Sequence, residues 1–176
     1  MISNISTQIK HPITWFIAKV IVLYIACDML LAYWLNESSI AYWVSWSATN
    51  SAIWILDLLG YTVRGYNKVF GINIDGKACV FVANACNGLD FMGVFIAFVI
   101  AYPAPFKSKL WFVPIGLLAI HTLNIVRITL LALNKKHFED SFDFNHKYTF
   151  IIAVYGLIFW LWTYWIQHYG IEKKPA

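Results

Sequence analysis

Long apolar runs broken by short polar clusters set the pattern of this chain. A helix needs roughly 20 mostly apolar residues to cross a bilayer. Residues 13–35, 110–133 and 148–169 meet that length. Lys19 sits early in the first run and can snorkel to the nearer interface, while Asp28 lies inside the run and calls for a polar partner such as Lys19 or His121. Residues 86–102 form a shorter candidate, with Asn87–Tyr102 giving about 24 Å of helix, and Pro103 and Pro105 stop it. Residues 40–59 are ambiguous. Trp43, Trp46 and Trp54 suit a membrane interface, but Ser45, Ser47, Thr49, Asn50 and Ser51 interrupt the run. This segment reads either as a helix lying in the interface plane or as a further span.

A different periodicity follows. Val69–Ile74 and Lys77–Val82 are strand-like and flank Asp75-Gly76, a dipeptide suited to a type I′ turn. Residues 62–84 therefore predict a small hairpin. Charge then orients the spans. Lys107 and Lys109 lie in the short loop between two spans, Lys173 and Lys174 close the chain, and Lys10 precedes the first span. All three clusters fall on the cytoplasmic side only if residues 40–59 do not cross. The expected architecture is an all-α polytopic membrane protein with about four transmembrane helices, an interfacial helix and a small extracytoplasmic β-hairpin. Both termini are then inside, and residues 36–85 and the loop 134–147 are outside.

Composition agrees with lipid as the solvent. Apolar residues make up 60% of the chain and charged residues only 12%, about half the charge of an ordinary soluble domain. The net charge of +4 sits largely in the lysine clusters beside apolar runs, so it is no nucleic-acid signal. Cys27, Cys79 and Cys86 form neither a CxxC pair nor a metal-type spacing. No A-x-A-like cleavage site follows the first apolar run, which predicts a retained helix. Neither a metal nor a cofactor is implied.

The topology brings chemistry to one level. Cys86 opens a span at its outer end, Arg127 lies about 26 Å along the helix from Leu110, and His146 immediately precedes the last span. A thiol at a helix N-terminus is favoured as thiolate. Gly88 leaves room for a substrate carbonyl. A histidine can take the thiol proton and return it to a leaving amine. An arginine can stabilise an oxyanion or the thiolate. His121, Asn124 and Arg127 share one helix face, where Asn124 can orient Arg127 or a substrate backbone. Blander readings exist for each: a small buried cysteine for Cys27 and Cys79, a Cys79–Cys86 disulfide, a snorkelling Arg127, a solvated His146, and His137 as a rival in the same loop.

Ala85-Cys86-Asn87-Gly88-Leu89, opening one span, resembles the nucleophile motif of the exosortase and archaeosortase family. Asn124-Ile125-Val126-Arg127-Ile128, closing the next, is similar to that family's Asn-x-x-Arg-Ile motif, and His146 falls where bacterial members carry their histidine. Leu58-Leu59-Gly60-Tyr61-Thr62-Val63 is also similar, and the resemblance covers roughly residues 53–165. It implies an intramembrane cysteine transpeptidase of the bacterial inner membrane with its site on the extracytoplasmic face. Cys86, Arg127 and His146 would be catalytic, and Asn87, Gly88 and Asn124 would contact substrate. The substrates implied are exported, membrane-anchored proteins with a C-terminal sorting tail: a short motif (Pro-Glu-Pro in the best-known systems), a transmembrane helix and a basic end. A surface component of unspecified chemistry would accept them. The chain is short for the family, with one span before the catalytic core. Two other readings stand beside this one: a non-enzymatic subunit of an export or surface-polysaccharide assembly system, and a haem- or quinone-binding electron-transfer subunit using His121 and His146.

Overall fold

In the computed structural model, which describes residues 15–26, 28–29, 38–66, 70–83 and 86–169, the described part of every long apolar run is helical. Helix α1 covers Trp15–Ala26. It is followed by α2 (Ser39–Leu58), α3 (Leu89–Ala101) and α4 (Phe106–His137). A 3₁₀ turn at Glu139–Ser141, a single turn α5 (Phe142–Phe144) and a π turn at Asn145–Thr149 lead into α6 (Phe150–Tyr169). Two helical stretches, Phe106–His137 and Glu139–Tyr169, are long and apolar enough to cross a membrane, and α1 and α3 are shorter apolar helices. Lys10, Cys27, Ala85, Lys173 and Lys174 lie outside the described residues.

Helix α4 is longer than the apolar run that predicts it. At 32 residues it extends about 48 Å and absorbs Lys135, Lys136 and His137 in its last turn. Cations there complement the negative end of the helix dipole. The stretch expected as a loop, 134–147, is therefore helical over most of its length, broken at Phe138 (φ −136°). At the other end, Lys109 has a structural task beside its charge: its Nζ donates to the carbonyl of Ile100, 2.8 Å away, in the last turn of α3.

Helix α2 packs along α4 and runs in the same direction. Ser47 Oγ meets His121 Nε2 at 3.2 Å, and Tyr61, just beyond α2, meets His137 Nε2 at 2.9 Å. The polar residues that seem to interrupt the helix explain this. Ser45 and Thr49 are buried with Ala41, Ala48 and Ala52, a stripe of small side chains that lets two helices approach closely. The exposed side carries Trp43, Trp46 and Trp54. Asp28 is exposed and lies within electrostatic range of Asp90, and among the described residues no ion pair joins it to Lys19 or His121.

The hairpin turn has the geometry its sequence predicts. Asp75 (φ 50°) and Gly76 (φ 85°) both take positive φ, as a type I′ turn requires. Strands β2 (Gly71–Ile74) and β3 (Lys77–Phe81) flank it. A third strand, β1 (Val63–Tyr66), extends the hairpin to a three-stranded antiparallel sheet in the order β1-β2-β3. Too short and mixed to show a period, β1 is fixed through its neighbours. The Thr62 and Asp75 backbones bond at 2.9 Å, and Thr62 N–H also donates to Asp75 Oδ1 at 3.1 Å.

Two hydrophobic clusters share α4. One gathers Phe95, Val99, Phe112, Ile120, Ile158 and Trp165 from α3, α4 and α6. The other joins Ala48, Ala52, Leu56, Ile72, Ile128 and Ala132 from α2, the sheet and the later half of α4. The second cluster underlies the site.

Candidate active site

Cys86 stands at the turn that leads into α3. The helix is entered through Gly88, whose φ of 90° is left-handed, a conformation that costs an L side chain about 1–2 kcal/mol. A Cβ at Gly88 would also lie 3.3 Å from the Asn124 side chain. Asn87 is fully buried. Its Oδ1 accepts from Leu89 N–H at 3.0 Å, and its Nδ2 donates to Ser45 Oγ at 3.3 Å. Asn87 thus satisfies an orphan amide of the first turn and fastens that turn to α2. Both of its polar ends are engaged within the fold, away from any open space.

Asn124 fixes the cysteine from the opposite side. Its Nδ2 donates to the Cys86 carbonyl at 3.1 Å, while its Oδ1 is buried with no partner among the described residues. One turn further along α4, Arg127 is 5% exposed, and its guanidinium shares a cavity with the Cys86 thiol and lies within electrostatic range of it. Arg127 Nε has no partner among the described residues. A buried arginine in an apolar helix is costly unless something compensates its charge, and the thiol is the group it meets.

His146 completes the arrangement. Its Nε2 lies 3.8 Å from Cys86 Sγ, although the two are far apart in sequence. Burial, and then the Arg127 charge, hold its titration below the ordinary imidazole value. A neutral imidazole able to accept a proton therefore faces the thiol. His137 is engaged elsewhere, with Tyr61, and His121 with Ser47.

Cys86, Arg127 and His146 open onto one cavity of about 300 Å³. Its other walls are Val80–Val82 of the sheet, Cys79, Ile128, Leu131 and Phe142. The space is apolar apart from the three chemical groups. Cys79 is a free thiol like Cys86, so no disulfide joins them. Burial pushes the Cys79 thiol up, which disfavours its thiolate, whereas Cys86 is only half-buried. Asn87, Gly88 and Asn124 do not line this cavity. They shape the Cys86 turn behind it. Among the described residues no group of His, Cys, Asp or Glu side chains converges as a metal site would require.

Neither Ser45 nor Phe142 is among the site residues expected from the sequence. Ser45 carried no signal beyond its polarity. Phe142 is four residues before His146, a spacing that places two rings side by side once the stretch is known to be helical.

Comparison with known proteins adds one match. The family model described as transmembrane exosortase (Exosortase_EpsH) fits residues 12–166. No curated protein and no solved structure matches. The matched stretch takes in α1 through most of α6 and every residue of the cavity.

Proposed function

Since the chain belongs to the transmembrane exosortase family, we propose that it is a membrane cysteine transpeptidase that removes C-terminal sorting tails from exported proteins. The observation that carries this reading is the 3.8 Å approach of Cys86 Sγ to His146 Nε2 in a cavity shared with buried Arg127.

The chemistry follows from the three groups. His146 takes the thiol proton, and Cys86 Sγ attacks a backbone carbonyl of the substrate. Arg127 stabilises the negative charge, first on sulfur and then on the carbonyl oxygen. As the C–N bond breaks, His146 returns its proton to the departing amine. The tail leaves and the rest of the substrate remains as a thioester on Cys86. An acceptor amine on a surface component then attacks the thioester and frees the thiol. Asn87, Gly88 and Asn124 hold the nucleophile's backbone in place.

Four crossings with both termini inside agree with the lysines. Helices α1, α3, α4 and α6 would span, with α2 packed along α4. Cys86 and His146 then meet at the outer face of the bacterial inner membrane, where the end of a substrate's anchoring helix emerges.

Co-expression with a candidate sorting-tail substrate tests the reading. Tail removal by the wild type should disappear in Cys86→Ala, Arg127→Ala and His146→Ala. Tail removal that persists in Cys86→Ala would end the thiol mechanism and favour the non-enzymatic reading. Labelling of Cys86 by a membrane-impermeant maleimide in intact cells tests the orientation.

A further inference from the structure

The segment that carries His146 differs from the rest of the helices. Asn145–Thr149 is a π turn, a rare form that occurs mostly as a single wide turn within helices and is frequent at functional sites. The 3.8 Å contact between His146 Nε2 and Cys86 Sγ is long and directional, so a modest rotation of the ring would break it. The charged groups that face His146 are Arg127 from α4 and Asp143 and Lys147 from its own segment. They act on its charge, but none of them sets the plane of the ring.

Phe142 does set that plane. Its ring lies parallel to the imidazole, with 6° between the planes and 5.8 Å between centroids, an offset stack. Phe142 is itself held from behind. Lys135 Nζ stands 5.1 Å from the centre of its ring, within cation–π range. The same ammonium bonds Glu139 Oε1 at 2.8 Å, and Lys77 Nζ bonds Glu139 Oε2 at 2.7 Å. The two lysines pull the Glu139 carboxyl down to about 2, so it stays charged wherever the protein works. Lys77 begins β3, whose later residues Val80 and Phe81 wall the cavity. A continuous set of contacts therefore runs from the cavity wall, through Lys77, Glu139, Lys135 and Phe142, to the imidazole.

We propose that Phe142 is the positioning residue for His146, and that Lys77, Glu139 and Lys135 anchor it to the sheet. Phe142 acts through the histidine and takes no part in bond making. The proposal rests on reading Cys86 and His146 as a thiol–imidazole pair.

The test uses the full chain in lipid and two readouts. One is removal of the sorting tail. The other is alkylation of Cys86 by iodoacetamide, quantified on the Cys86 peptide as the ratio of rates at pH 7 and pH 9. Phe142→Ala and Phe142→Leu should slow tail removal by about tenfold to a hundredfold, as small misplacements of a reacting group do. Both should lower the alkylation ratio toward that of His146→Ala. Phe142→Tyr keeps a flat ring and should retain both activities, and Glu139→Gln should show a smaller loss of the same kind.

Phe142→Leu preserves apolar bulk, so it decides the matter if Phe142→Ala fails to fold. A wild-type rate and ratio in Phe142→Leu would overturn the proposal, as would a folded Phe142→Tyr as damaged as Phe142→Leu. If the wild type leaves the tail intact while Phe142→Leu still lowers the alkylation ratio, the transpeptidase reading fails and the positioning role stands. If His146→Ala leaves the ratio unchanged, the thiol–imidazole pair is absent and both fall.

Discussion

The cluster around Phe95 and the cluster around Ile128 sit on the same long helix, yet they are packed in opposite ways. Around Phe95 the contacts are aromatic and close. Phe112 stacks on Trp165 with 16° between the planes, and Phe98 lies on Trp162 at 4.0 Å. The Phe95 ring rests on α4 at Gly116, where there is no room for a Cβ. Around Ile128 the side chains are small, Ala48, Ala52 and Ala132 among them, and beside them a cavity stays open. The first region also buries donors with no partner among the described residues, the indole N–H groups of Trp162 and Trp165, but those are neutral. The second buries an arginine. Dense packing at one level holds the helices so that a costly charge and an open space can persist at the other.

The contrast predicts that stability and activity separate along α4. Phe95→Ala has the largest expected effect on stability. Truncating a fully buried phenylalanine costs about 3–5 kcal/mol, and unfolding in a denaturant titration should move accordingly. The variant that remains folded should cleave at the wild-type rate per folded molecule and alkylate Cys86 normally. A folded Phe95→Ala that had lost Cys86 reactivity would show that the two regions are not separable.

Gly88→Ala comes next, because it strikes the boundary between them. The left-handed backbone there costs an alanine about 1–2 kcal/mol, and its Cβ would press on Asn124. Asn124 also holds the Cys86 carbonyl. This variant should therefore lose more of its Cys86 alkylation rate than its modest destabilisation explains. Equal alkylation per folded molecule would show that the Asn124 bond does not hold the nucleophile.

These two residues also mark how far the sequence could be read. Cys86 and His146 lie at the ends of apolar runs and Arg127 lies toward the end of another, and the ends of apolar runs fix depth in a membrane. Depth was enough to bring them to one level. The hairpin turn was legible because Asp75-Gly76 demands positive φ. What the sequence could not express was the partner of each polar residue. Ser45 and Thr49 looked like breaks in an apolar face until α4 and Asn87 lay against them. The resemblance implies a substrate contact for Asn87, and what the sequence does not express is that its two ends meet Ser45 and Leu89. Phe142 fell in a stretch that read as a polar loop, and its stacking on His146 exists only because that stretch is helical.

The smallest effect tests the electrostatics of the site. His146 must be neutral to take the thiol proton, and its titration is already held low by burial and by Arg127. Tail removal should therefore fall on acidification only below the ordinary imidazole value of about 6.5. Asp143 favours the imidazolium and Lys147 disfavours it. Asp143→Asn removes an attraction, so the cation becomes harder to form and the acid limb should move to lower pH. Lys147→Gln removes a repulsion, so the limb should move to higher pH. Both side chains are exposed, so each shift should be only a few tenths of a pH unit, as expected for screened surface charges. Rate profiles of the two variants at low ionic strength measure this. If the limbs do not move, or move in the reverse order, the titrating base is not His146. The small effect then carries more weight than the large one, because packing explains Phe95→Ala whatever the mechanism, while opposite shifts from two surface charges single out the imidazole between them.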